Sequence, residues 1–487
     1  MTGETLIALA LVIPAATALL TPLFARHPNL RESVTLLGTV LLFAALLALL
    51  SKVLGGARPA LHVLDVVPGL AVAFAVEPLG MLFATVASGL WIVTSLYSIG
   101  YMRANHEVRQ TGYYVAFAAA IVATVGIALA GNLFTLFLFY EMLTLVTYPL
   151  VIHHRTPEAK AAGRLYLMML LGASTVLLLP AIAWTAVAAG TLDFRPGGIL
   201  AEKLSPTALA MLLALFAFGI AKAALVPLHF WLPAAMVAPT PVSALLHAVA
   251  VVKAGVFFVV KVIVYVFGVE TLSTSGAGDW LVFAAAGSIL IASMVAMTRD
   301  NLKARLAYST VSQLGYVVLG AALATHWGIV GSGMQIATHA LGKITLFFCA
   351  GAIYTVHHKT EVSELAGLGR VMPVTFAAFL VGALSIIGLP PGGGLWSKWY
   401  LVLGALDGGQ IAIVAVLMIS SLLNVAYLLP IPLRAFFGTA EGEATNGRAA
   451  EAPLPLLLAM SATSLACVIL FFFPGIVFNP LQSMATQ

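Results

Sequence analysis

Charge is scarce in this chain. Of its 487 residues only 8% are Asp, Glu, Lys or Arg, whereas a soluble domain carries about a quarter. With a mean hydropathy of +1.06, the chain cannot cover a water-facing surface with polar groups. A soluble globular enzyme and a disordered chain are both excluded. Cysteine is nearly absent. Cys349 and Cys467 sit in apolar runs, without a CxxC or the Cys/His spacing of a metal site. Neither a disulfide framework nor an iron–sulfur cluster is supported, and no metal or cofactor is expected. The basic residues form no single patch, so the net charge of +5 does not point to nucleic acid. The N-terminus has Glu4 and no Lys or Arg, unlike the positive n-region of a signal peptide, and reads as a first membrane span. The longest polar stretch, around 438–452, is only a loop. What remains is a polytopic, all-α membrane protein.

Apolar runs of about 20 residues cross the hydrocarbon core as helices. Fourteen are expected, near 4–24, 33–52, 77–101, 112–131, 133–152, 163–189, 207–226, 241–268, 279–298, 305–325, 328–356, 373–402, 409–437 and 453–475. The runs are continuous rather than alternating, which argues against a β-barrel. The seventh meets Pro227, His229 and Pro233 and should break or end there. The twelfth contains Pro390, Pro391 and a glycine run and should be two half-helices.

Of 23 Lys and Arg, five lie inside spans, 14 in loops after odd-numbered spans and 4 in loops after even-numbered ones. The positive-inside rule then places the odd loops in the cytoplasm and both termini outside, in a cell inner or plasma membrane. Spans four to eight and nine to thirteen each carry a lysine beside a proline break. Units of five spans have opposite orientation, so these segments read as inverted repeats, a transporter signature. The expected organisation is residues 1–111 as three N-terminal spans, 112–268 and 279–437 as the two repeats, and 453–487 as a final span and tail.

The intramembrane charges carry the chemistry. Glu141 is the only carboxylate deep in a span, in company with Lys222, Lys253, Lys261, Lys343, Lys398, His247 and His339. A central charge costs about 2.5–3.5 kcal/mol on insertion scales, so this row calls for a hydrated interior. Snorkelling is an adequate bland account of Lys261 and a fair one of Lys343. It is a poor account of Lys222, Lys253 and Glu141, which lie far from any polar loop. Burial disfavours the ammonium form of a lysine in general, and a nearby carboxylate restores it. At a few ångströms such a pair is worth about 4 kcal/mol, enough to load or unload a proton. His339 and Lys343 are spaced i, i+4 on one helical face. His247 precedes Lys253 by about a turn and a half. Heme ligation by His247 and His339 is disfavoured, because buried lysines adjoin both and there is no second histidine pair.

These residues lie in stretches that resemble the antiporter-like proton-translocating subunits of Mrp-type cation/proton antiporters, complex I and membrane-bound hydrogenases. The stretches are FYEMLTLVTYPL, GIAKAALVPLHFWLPAAMVAPTPVSALLHAVAVVKAGVFFVVK, DNLKARLAYSTVSQLGY, THALGKITLFFCAGAI and LSIIGLPPGGGLWSKWYL. They run in the family's order over roughly 77–437. The resemblance implies fourteen core helices with two inverted five-helix repeats. It also implies a proton path of Glu141 with Lys222, then Lys253 with His247, then His339 with Lys343, and an exit at Lys398, where some members have Glu. Many members read WLPDA where this chain has Trp231, Leu232, Pro233, Ala234 and Ala235, which removes a carboxylate at that break. The motifs look most like a D-type subunit of an Mrp Na⁺/H⁺ antiporter, working with other membrane subunits. The equivalent subunit of a complex I-type or hydrogenase machine, a translocase without a redox centre of its own, is the alternative.

Overall fold

The computed structural model describes residues 1–67, 69–439 and 450–485; most of the loop expected around 438–452, with Arg448, lies outside them. Among the described residues eleven helices are long and apolar enough to cross a membrane. They are α1 (Gly3–Phe24), α2 (Pro28–Leu54), α3 (Pro78–Ala104), α4 (Gln110–Leu129), α5 (Leu133–Val151), α6 (Pro157–Ala189), α8 (Thr240–Phe267), α9 (Asp279–Thr298), α11 (His326–His357), α14 (Ile411–Phe437) and α15 (Leu454–Phe472). The other three expected segments are also helical. The first holds α7 (Pro206–Gly219), the second α10 (Leu302–Ala322) and the third α12 (Pro373–Ile387) followed by α13 (Gly394–Asp407). A last helix, α16 (Gly475–Ala485), follows α15.

The starts of these helices are written in the sequence. Thr156 and Ser205 accept from the backbone N–H three residues on and are each followed by proline at the first helical position. Asn132, Asn301 and Thr325 cap α5, α10 and α11 in the same way. Each cap satisfies a donor that the first turn leaves free.

Burial sorts the helices into centre and rim. The apolar windows of α8 and α11 are 100% and 94% buried, against 33% for α1, α2 and α15. The two central helices therefore present almost nothing to lipid, and they carry four of the expected site residues. α11 packs on α10, α12, α13 and α15, and α9 packs on α10.

The loops separate by parity. Arg109 after α3 donates to the His153 carbonyl after α5. Lys303 after α9 donates to Ala238, Asp300 accepts from Ser363, and Arg370 donates to the Phe436 carbonyl. On the opposite face, Phe74 bridges to Ala130, Asn132 to Asp193, and Thr325 donates to Gly404. Such sorting follows if the intervening helices cross from one face to the other. The second face also carries an antiparallel hairpin, β1 (Ala60–Val67) with β2 (Leu70–Ala75), which the hydropathy pattern did not disclose.

Among the described residues several helices are interrupted, and three of these breaks bear on the expected site. The seventh expected span stops at Gly219, earlier than Pro227, and Lys222 sits in a short 3₁₀ turn, Ala221–Ala223. The turn is held by the Trp231 indole N–H on the Ala221 carbonyl at 3.1 Å. Gly255 of α8 lies so close to the Lys222 and Ala223 backbone that any Cβ would collide with it. α8 itself contains π-helical turns at Leu245–Val249 and Ile263–Phe267. The twelfth expected span is broken between Ile387 and Gly394, as its prolines and glycines require.

Candidate proton-transfer site

Lys222 reaches α5 from its 3₁₀ turn. Its Nζ donates to the Tyr140 carbonyl at 2.8 Å and to Thr144 Oγ1 at 2.6 Å. It also lies 3.1 Å from the centre of the Tyr140 ring, a cation–π contact. Glu141 is the next residue on α5, yet the two charged groups do not form an ion pair. Glu141 is half-buried, its Oε1 has no hydrogen-bond partner among the described residues, and it feels Lys222 only electrostatically. The expected direct pairing is thus replaced by a hydroxyl and a carbonyl. The cause is local: Tyr140 and Thr144, four residues apart, share the α5 face that meets the turn.

The central contact joins α8 to α11. Lys253 Nζ lies 2.5 Å from His339 Nδ1, with both side chains fully buried. His339 Nε2 is without a partner among the described residues. Lys343, one turn along α11, does not bond His339 but donates to the Leu306 carbonyl of α10 at 3.1 Å. His247 is fully buried, with neither ring nitrogen hydrogen-bonded to a described residue, and its ring packs 4.7 Å from that of Phe347. Lys343, Lys303 and Lys253 all act on it electrostatically.

Lys398 stands beyond the break, donating to the Ile387 carbonyl at 2.8 Å and to Ser421 Oγ at 3.2 Å. Gly388, at φ +88°, closes α12 so tightly that a Cβ there would meet Lys398 Cδ at 2.8 Å. A hydrogen-bonded row fills the interval between α11 and α13. Thr338, beside His339, donates to Ser397 Oγ at 3.1 Å. Ser397, beside Lys398, donates to Gln335 Oε1 at 2.6 Å, and Gln335 donates to Gln313 at 2.7 Å. Side chains that both donate and accept can pass a proton between amines too far apart to touch.

Several groups escaped the sequence reading. Uncharged Tyr140, Thr144, Thr338 and Ser397 were not singled out, although their positions one residue from Glu141, His339 or Lys398, or one turn along from Tyr140, are a usable signal. Lys261 and Lys343 do not snorkel. Both are fully buried, and Lys261 forms an ion pair with Glu77 at 2.7 Å. Glu77 opens α3 and Glu32 is buried near the start of α2, so two further carboxylates turn inward at helix starts, shallower in their helices than Glu141. Glu32 is matched by Arg31 and Arg103. Outside the membrane-spanning segments, Glu107 lies 3.3 Å from His154 and 3.6 Å from His153. Burial alone would raise its carboxyl, but the hydrogen bond from His154 and the closeness of the His153 ring prevail and hold it down to about 2. The hydrogen bond to Glu107 raises His154 in turn, against the effect of burial.

Residues 130–424 match the family described as NADH:quinone oxidoreductase/Mrp antiporter, transmembrane. The chain is 31% identical over 458 residues to NADH-quinone oxidoreductase subunit N of Desulforudis audaxviator, covering 92% of this chain and 89% of that one. It is 30% identical over 466 residues to the A-type subunit of the Na⁺/H⁺ antiporter of Alkalihalophilus pseudofirmus, covering 88% of this chain but only 56% of that longer protein. Its fold superposes on a chain of the Mrp complex from Dietzia sp. DQ12-45-1b with a TM-score of 0.86 at 24% identity, over 100% of this chain and 97% of that one. This chain is a member of the NADH:quinone oxidoreductase/Mrp antiporter transmembrane family.

Proposed function

We propose that the chain is the proton-translocating subunit of a multisubunit Na⁺/H⁺ antiporter in the plasma membrane. It has fourteen spans, ten of them in two inverted five-helix repeats, and its loops after odd-numbered spans lie in the cytoplasm. A proton enters near Lys222 and Glu141, passes to Lys253 with His247, crosses to His339 and Lys343, and leaves by Lys398. The observation that carries this reading is the Lys253–His339 contact, which joins ionisable groups of α8 and α11 at 2.5 Å in a fully buried centre. A lysine amine and an imidazole can each hold one proton, and neither can be permanently charged there without cost. Thr338, Ser397 and Gln335 extend the row toward Lys398.

The second reading is the corresponding subunit of a quinone oxidoreductase. It is favoured by the match to subunit N, which runs over 89% of that protein's length. Affinity purification of the native complex separates the two. Small antiporter subunits, with Na⁺-dependent proton movement in vesicles, support the first reading; quinone-module subunits with redox-driven proton movement support the second. Proton movement unaffected by Lys253→Ala would remove both.

A further inference from the structure

Lys261 has no place in that path, yet it is as deeply buried as Lys253. Its Nζ donates to the Ala130 carbonyl at 2.8 Å and pairs with Glu77 at 2.7 Å. The Phe194 ring lies 4.5 Å from it and the Phe257 ring 5.5 Å. This pair forms the floor of a cavity of about 550 Å³ on the face that carries the hairpin, lined by Arg58, Glu77, Ala130, Phe194, Lys261 and Tyr265 among others. A water needs only about 10–15 Å³ of such space.

The layers beneath the pair are ordered. Lys253, Phe257 and Lys261 follow one another at i, i+4 and i+8 within the regular part of α8, Val251–Val262. At 1.5 Å per residue the two lysines stand about 12 Å apart along the axis. Phe257 lies between them in height and packs against Phe83 of α3, ring centres 4.9 Å apart. α3 and α8 thus meet twice: as an ion pair at the cavity and as an aromatic layer one turn deeper.

Two bland readings fit less well. A buried ion pair is a weak brace, because desolvation offsets much of its attraction, and an apolar pair would join the helices without a cavity above it. A cation site is also disfavoured. The charged groups lining the cavity are Glu77, Lys261 and Arg58, with Tyr265 the remaining ionisable one, so two cations face one carboxylate.

We propose that Glu77, Lys261 and this cavity form a second proton passage, from Lys253 to the hairpin face within the first repeat, which Phe83 and Phe257 hold shut. It rests on Lys253 carrying protons. Lys261, an ammonium in its ion pair, first releases a proton to the Glu77 carboxylate or to water in the cavity. When the aromatic layer parts, an N–H bond of the Lys253 ammonium breaks and its proton restores the Lys261 ammonium by way of water. A proton taken up by Glu77 leaves to the cavity water, which returns the Glu77–Lys261 ion pair to its starting state. A closed lock is what coupling demands, since an open one would short-circuit the longer route through α11.

The test is passive proton flux in proteoliposomes of the whole complex under an imposed potential, read with a trapped pH dye. Phe257→Ala should raise the leak several-fold over wild type, while Phe257→Leu, which keeps the bulk, should not. The leak should return to the wild-type level in Phe257→Ala/Lys261→Met and in Phe257→Ala/Lys253→Ala. Phe83→Ala is the second opening variant, used if Phe257→Ala does not insert. A well-inserted opening variant without a leak overturns the proposal, as does a leak that survives Lys261→Met. A leak that needs Lys261 but not Lys253 overturns the connection to the centre. Loss of the underlying relay reading shows separately, as undiminished transport in Lys253→Ala alone.

Discussion

Lys253 Nζ and His339 Nδ1 meet at 2.5 Å, although the two residues stand 86 positions apart in the sequence. Among the described residues Lys253 finds no carboxylate at the centre: its hydrogen bond is to an imidazole nitrogen. The contact uses a lone pair on one partner and a proton on the other, so the pair works only if one member gives up its charge. Arginine remains protonated under all physiological conditions. Lys253→Arg should therefore abolish proton transport nearly as completely as Lys253→Ala, although it keeps the positive charge. Transport in inverted vesicles that persists in the Arg variant and vanishes in the Ala variant would make Lys253 a fixed electrostatic element.

Lys222 is held on α5 by Thr144 and the Tyr140 carbonyl, with Glu141 adjacent and not bonded to it. On the proposed path, Lys222 would move with its proton between this hold and Glu141. Glu141→Ala and Lys222→Ala should each reduce transport to background with the complex still assembled. Thr144→Val keeps the shape but removes a hydrogen bond to a charged group, worth about 1.5 kcal/mol or more, and should slow transport by about tenfold. Full activity in Glu141→Ala would leave Glu141 with a packing role.

The legible part of this protein was the part that membranes penalise. Polar groups in hydrocarbon are costly, so Lys222, Lys253, His339 and Lys398 stood out in apolar runs, and Pro390 with the following glycines marked the break before α13. Partners were not legible. Whether Lys222 meets Glu141 or Thr144 depends on the α5 face that Gly255 lets α8 and the turn approach. Whether Lys261 snorkels depends on where α3 starts, and Glu77 begins that helix opposite Lys261. The hairpin was missed because its strands, Ala60–Val67 and Leu70–Ala75, are short and lie between two strong helical signals.

The parity of the loops allows a direct orientation test. In a background lacking Cys349 and Cys467, Thr2→Cys should react with an impermeant maleimide added outside intact cells, because the excess of basic loops is placed inside. Glu158→Cys, at an exposed position after α5, should react only after permeabilisation. Reversal of the two patterns would invert the proposed orientation.

Lys398 is positioned by the break, through the Ile387 carbonyl and the tight turn at Gly388. Lys398→Ala should slow transport by about tenfold, equivalent to ~1.4 kcal/mol on the limiting barrier, whereas Lys398→Glu should retain part of it. Gly388→Ala forces a Cβ into the left-handed region, at a cost of about 1–2 kcal/mol, and pushes on Lys398. It should lower thermal stability in detergent and slow transport together. Unchanged transport in Lys398→Ala would take this residue out of the path.

The clasp of Glu107 on His153 and His154 ties the loop after α3 to the loop after α5, and its pH window follows from the two shifts. Glu107, hydrogen-bonded by His154 and close to His153, is held down from its ordinary 4.5 to about 2 although burial opposes this. Its stabilisation is present above about 4.5 and is lost as pH falls toward 2. His154 is raised from its ordinary 6.5 by the hydrogen bond to Glu107. Its share is complete below about 6.5 and is lost as pH rises through the raised value. The clasp is therefore strongest between about pH 4.5 and 6.5 and loosens toward alkaline pH. Lys303 also acts electrostatically on both groups from α10, so loosening is felt at the start of that helix. Hydrogen–deuterium exchange of residues 105–109 and 152–156, corrected for intrinsic chemistry, should quicken from pH 6 to pH 9 in the wild type. In Glu107→Gln, which cannot hold a histidinium, exchange should already be fast at pH 6 and change little. An identical pH response in the two proteins would show that the clasp does not depend on the charge of Glu107.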